Sequence, residues 1–184
     1  MKLIKSLILI AIFLSLSIAF SPNSVLAQNS KTEATSAANI DAYAMFWPLV
    51  PGKTMGDSMY SLKLFKETLG EFFSFGDLKK AEYYTTISEK RLLEAQKLFL
   101  ENKDYKYGAK TLEQNNLYQK KSFDLIKKAE KAQQKVEAVK GKLTTSLSNQ
   151  QTLLTFIQTQ VPEDQKSQFD KALKDVNNFL TLLP

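Results

Sequence analysis

The chain has 184 residues, among them no cysteine, no histidine, one tryptophan and six glycines, and its charge is 25 − 19 = +6. These absences exclude disulfides, thiolate and imidazole metal sites, thiol nucleophiles, His-based triads and a lipid-modified N-terminal cysteine. With so few glycines there is little material for a phosphate-cradling loop, and most enzyme classes are disfavoured before any motif is sought.

Residues 1–27 read as a secretory signal peptide. Lys2 and Lys5 supply a positive start, and Leu7 to Phe20 is apolar except for Ser15 and Ser17. Pro22 follows, and Val25-Leu26-Ala27 places short side chains before a cut between Ala27 and Gln28. The other reading is a retained N-terminal membrane anchor, for which this apolar core is short of the roughly 20 residues a span requires. Cleavage leaves 184 − 27 = 157 residues with a charge of 23 − 19 = +4. The expected location is secreted or extracytoplasmic, in the cell envelope.

Residues 28–42 are small, polar and without apolar periodicity, so they read as a flexible linker. Residues 43–56 are expected to form an extended aromatic strap, because Pro48 and Pro51 push the residues before them out of helical geometry. Phe46, Trp47, Leu49 and Val50 are then expected to lie across a helical domain, 57–184, or to await a partner.

The first predicted helix starts at Asp57 or Ser58, either of which can cap it. Leu62, Phe65, Leu69, Phe72 and Phe73 give it one apolar face. Gly76 ends it, Asp77 caps a second helix over about 78–102, and Asp104 caps a third. From Tyr105 to Gln160 there is no proline, and Leu125, Ala129, Ala132, Val136, Val139 and Leu143 form a coiled-coil-like seam. Unbroken, that helix would be about 80 Å long at 1.5 Å per residue. Gly141 and Thr144-Thr145-Ser146 mark its expected bend. Pro162 suits the first position of a fourth helix, with Phe169, Leu173, Val176, Leu180 and Leu183 as its stripe. It should fold back antiparallel. The pattern predicts an all-α, elongated bundle of about four helices.

Pro51-Gly52, Asp57-Ser58, Tyr60, Leu62-Lys63, Lys80-Ala81-Glu82, Glu89-Lys90-Arg91-Leu92 and Glu94-Ala95 stand at fixed separations over residues 48–102. This pattern resembles a bacterial family of exported helical proteins catalogued only as a domain of unknown function. The resemblance implies a helical, signal-bearing or membrane-anchored envelope protein. It carries over no catalytic residue and no cofactor. Ser88 departs from it, standing where a small apolar residue is expected.

Gly52-Lys53-Thr54 looks like the end of a phosphate-binding loop, but Trp47 occupies the position of that loop's other glycine, so a turn is the better reading. No serine has a lysine three positions later, as a Ser-x-x-Lys dyad would need. The carboxylate pairs Glu67/Glu71, Glu82/Glu89 and Glu94/Glu101 are interleaved with lysines and read as solvated helix surface rather than a hydrolase pair. No calcium-loop motif occurs either. No catalytic, cofactor or metal residue is assigned.

Two charged groups remain. Glu82, Glu89, Lys90 and Arg91 are expected to form an ion-pair cluster between the first two helices, or else a recognition surface. Residues 120–142 hold eight lysines against three acids, and Lys121, Lys128, Lys135 and Lys142 recur every seven residues. On one long helix they would align as a stripe facing solvent or contacting an anionic polymer or lipid headgroups. Nucleic acid is not expected, since the segment has no arginine and few stacking aromatics. Self-association through the 125–143 seam is the further alternative. The leading expectation is a non-enzymatic, exported binding or spacer module.

Overall fold

The computed structural model describes residues 40–183. The expected signal peptide, its expected cleavage between Ala27 and Gln28, and most of the expected linker lie outside the described residues. Among the described residues six α-helices follow in order: α1 (Ala42–Met45), α2 (Tyr60–Phe72), α3 (Asp77–Gln96), α4 (Tyr105–Lys131), α5 (Glu137–Gln160) and α6 (Ser167–Leu182). A π-turn, Lys97–Glu101, closes α3, and a 3-10 turn, Glu163–Gln165, precedes α6. No strand occurs among the described residues, and the fold is all-α as expected.

Each of α3 to α6 packs antiparallel to the one before it. Hydrogen-bonded pairs run in opposite directions along neighbours: Asn115 and Ser122 of α4 donate to the Ser88 and Ala81 carbonyls of α3, and the side chains of Gln158 and Gln151 of α5 donate to those of Asp170 and Asn177 of α6. The core between them is built from Leu92, Phe99, Ile126, Leu147, Leu154 and Phe169, each essentially inaccessible to water. Removing such side chains from water is the main driving force for helix packing. Phe99 and Phe169 approach to 4.8 Å between ring centroids. Gly108 permits the close crossing of α4 over the end of α3, because a Cβ there would meet the Phe99 ring at 2.9 Å.

A polar layer interrupts this core. Gln150 of α5 donates to the hydroxyls of Ser88 and Ser146 at 3.1 and 2.9 Å, and its carbonyl accepts from Gln119 at 2.8 Å and Asn115 at 2.5 Å. Asn115 also donates to the Ser88 carbonyl at 2.8 Å. Most polar atoms of the layer are paired in this way, as buried polar groups generally are, with Gln119 Oε1 the exception among them. Ser88 therefore keeps its hydroxyl for a reason that an apolar residue could not serve.

The predicted caps are met unevenly. Asp104 caps α4 by accepting from the Tyr107 N–H, and Gly76 takes a φ of +83° before α3. Asp57 does not cap α2, which starts at Tyr60; its carboxylate accepts instead from the Thr54 N–H at 2.6 Å. The strap differs as well. Residues 42–45 form a short helix capped by Asp41, so the linker does not extend to residue 42 and the strap is not extended from its start. Phe46 is buried and Leu49 packs on the core, whereas Trp47 and Val50 are 81% and 65% exposed.

The third predicted helix is two helices. The chain turns at 132–136, not near 141–146, and Gly141 and Thr144 to Ser146 lie within α5. The Gln134 N–H donates to the Ala129 carbonyl and the Gln133 N–H to that of Glu130, with Gln133 at φ +56°. This is a Schellman ending with glutamine where glycine is usual. The seam is thereby split between α4 and α5, which pair as a hairpin.

Candidate functional site

Two faces of α2 have the same periodicity. Tyr60, Lys63, Glu67 and Glu71 recur at helical spacing, and so do Leu62, Phe65, Leu69, Phe72 and Phe73, two residues out of phase. At 100° per residue the two sets lie on opposite sides. The structure turns the polar set inward. Tyr60 is the only buried residue of α2, while Phe65, Phe72 and Phe73 are 59%, 68% and 64% exposed and Phe75, just beyond, is 73% exposed. The apolar face of this helix points to solvent.

The cause lies in α3. Arg91 has no accessible side-chain surface, and its guanidinium pairs with Glu94 of its own helix at 2.9 Å and with Glu67 of α2. Lys63 of α2 closes the network by pairing with Glu94, and it also donates to the Lys53 carbonyl at 2.9 Å. The Tyr84 hydroxyl donates to Glu71 at 2.6 Å and that of Tyr83 to the Glu67 carbonyl at 2.5 Å. A buried charge stripped of partners is far more costly than an exposed phenyl ring. The helix therefore gives Glu67 to Arg91 and Glu71 to Tyr84, and leaves its phenylalanines outside. Gly70 assists, since a Cβ there would meet Tyr83 at 2.9 Å.

Electrostatics follow from this burial. Desolvation works against the Arg91 charge, yet Glu67 and Glu94 hold its pKa above the ordinary arginine value. Burial pushes the Glu94 carboxyl up against the pull of Arg91 and Lys63, and it draws the Lys63 ammonium down. Tyr60 and Tyr83 are raised to about 12, chiefly by burial.

Beside this network an open cleft of about 570 Å³ is lined by Val50, Met59, Leu62, Gly70 and Tyr83 together with Lys53, Lys66 and Lys90. Among the described residues these three lysines form no ion pair. Glu67 is the cleft's acid and is committed to Arg91.

The residues singled out from sequence are placed differently. Of Glu82, Glu89, Lys90 and Arg91, only Arg91 joins the ion network, which runs between the first two long helices as expected but uses Glu67, Glu94 and Lys63. Glu82 pairs with Lys79 and with Lys142 of α5, which keep its carboxyl below the usual range. Glu89 is half-buried, and burial raises its carboxyl. Lys121, Lys128, Lys135 and Lys142 do not share a helix face, because the turn at 132–136 separates them. Lys128 pairs with Asp77, Lys142 with Glu82, and Lys121 lies over the rings of Tyr84 and Tyr118 at 5.0 and 5.1 Å. Lys135 sits exposed in the turn. Sequence reasoning did not find the Lys53, Lys66 and Lys90 group, which no periodicity unites.

The family model described as Domain of unknown function (DUF5667) matches residues 52–178, taking in α2 through most of α6. No curated protein and no solved structure matches the chain.

Proposed function

The chain belongs to the family described as Domain of unknown function (DUF5667), and we propose that it is an exported, non-enzymatic docking module of the cell envelope. The observation that carries the proposal is the outward apolar face of α2. Contiguous exposed apolar surface of this kind marks an interaction site. The leader pattern of residues 1–27 supports export. A binding role rather than catalysis is favoured by the carboxylates of the site: Glu67 and Glu94 are neutralised by Arg91 and Lys63, and Glu71 accepts from Tyr84.

The test compares residues 28–184 with the double variant Phe65→Ser, Phe72→Ser in co-sedimentation with cell-envelope fragments. The described residues have their own core, so this chain retains the whole packed unit. The variant is expected to stay folded by far-UV circular dichroism and to lose sedimentation. Equal sedimentation of the two would remove α2 as the docking element.

A further inference from the structure

The docking reading leaves open what covers α2, and the inference here rests on that reading. We propose that the occupant is an anionic phospholipid bilayer. In this arrangement α2 lies in the plane of the surface, with Phe65, Leu69, Phe72 and Phe73 in the outer acyl layer. Lys53, Lys66 and Lys90 meet the headgroup phosphates.

Three observations favour a membrane over other partners. The face is a short helical stripe of leucine and phenylalanine about 20 Å long at 1.5 Å per residue, continued by Phe75, the composition of helices that lie in the interface. Lys53, Lys66 and Lys90 line the cleft that shares Leu62 with this face and have no ion-pair partner among the described residues, so an anionic surface complements them. The inner face of α2 is locked by Arg91, which presents the apolar stripe already helical and oriented. Binding then avoids the cost of ordering a free segment.

A second copy of the chain fits less well. An isologous contact through α2 would bring the same lysine-edged patch from both sides. Glu67 and Glu71, the acids of α2, are turned inward and taken, so neither copy offers counter-charge. This surface is separate from Lys121, Lys128 and Lys142, which the fold has engaged elsewhere.

The experiment is vesicle flotation of residues 28–184 with phosphatidylcholine alone and with phosphatidylcholine mixed with phosphatidylglycerol. Three variants run alongside: Phe65→Ser with Phe72→Ser; Lys53→Gln with Lys66→Gln and Lys90→Gln; and a charge-matched control, Lys131→Gln with Lys135→Gln and Lys171→Gln. The parent and the control should float with the anionic vesicles. The aromatic variant should not. Each lysine near an anionic surface contributes a factor of about five, so the second variant should partition on the order of a hundredfold less. An undiminished lysine variant, or equal binding to neutral vesicles, overturns the anionic-lipid assignment. Absence of flotation while envelope fragments still bind through Phe65 and Phe72 overturns the membrane and keeps the docking reading. A concentration-dependent dimer abolished by the aromatic changes gives the face to a second copy. Envelope binding indifferent to α2 removes both.

Discussion

Arg91 is the residue on which the site turns. Its side chain has no accessible surface, and it is charged between Glu67 and Glu94. Removing one partner of a buried ion pair strands the other charges, at about 3–5 kcal/mol. Arg91→Ala should lower stability by about that amount in urea titrations, and Arg91→Lys should recover little, since an ammonium cannot bridge two carboxylates as a planar fork does. A loss below about 1 kcal/mol would mean that the network is not what orients α2. The alternating charges of residues 63–94 were visible in sequence, but their pairing was not. Lys63–Glu67 and Lys90–Glu94 look like surface pairs one turn apart. The fold instead pairs Lys63 with Glu94 across two helices.

At the scale of elements, the turn between α4 and α5 shows why a breaker-based reading misplaced the bend. Gly141 is helical with open space where its Cβ would be, and the chain reverses at Gln133 without glycine or proline. A non-glycine residue in the left-handed region costs on the order of 1 kcal/mol or more, which burial of Val136, Val139 and Leu143 against neighbouring helices offsets. Gln133→Gly should therefore stabilise the protein by about 0.5–1 kcal/mol, the strain relieved less the added unfolded-state entropy. The midpoint of chemical denaturation checks it; a lower midpoint would mean that glutamine is not strained there. Asp104 was legible because capping is local chemistry, whereas α2 ends at Phe72 before reaching Gly76, which stands instead at the N-cap of α3 with Asp77 already inside that helix. The hairpin was not, because it depends on what α3 and α6 offer the seam.

For the described unit as a whole, stability is uneven. The core of Leu92, Phe99, Ile126, Leu147, Leu154 and Phe169 draws on α3 to α6, whereas α2 contributes Tyr60 and its ion network. Elements with few buried apolar contacts open first. Amides of α2 should exchange with deuterium well before those of α3 at 92–95, and Arg91→Ala should widen the difference. Equal protection across α2 and α3 would show that α2 is part of the cooperative core.

The sequence by itself determined the all-α class, the two faces of α2 and the antiparallel return of α6, since helical spacing and the break around Pro162 act over a few residues. Only the tertiary structure decided where the long segment turns and which side of α2 faces out. Periodicity defines two opposite faces without assigning either to the interior. That assignment is a competition between burying phenylalanines and satisfying Arg91, and a buried charge without its carboxylates is the more expensive loss.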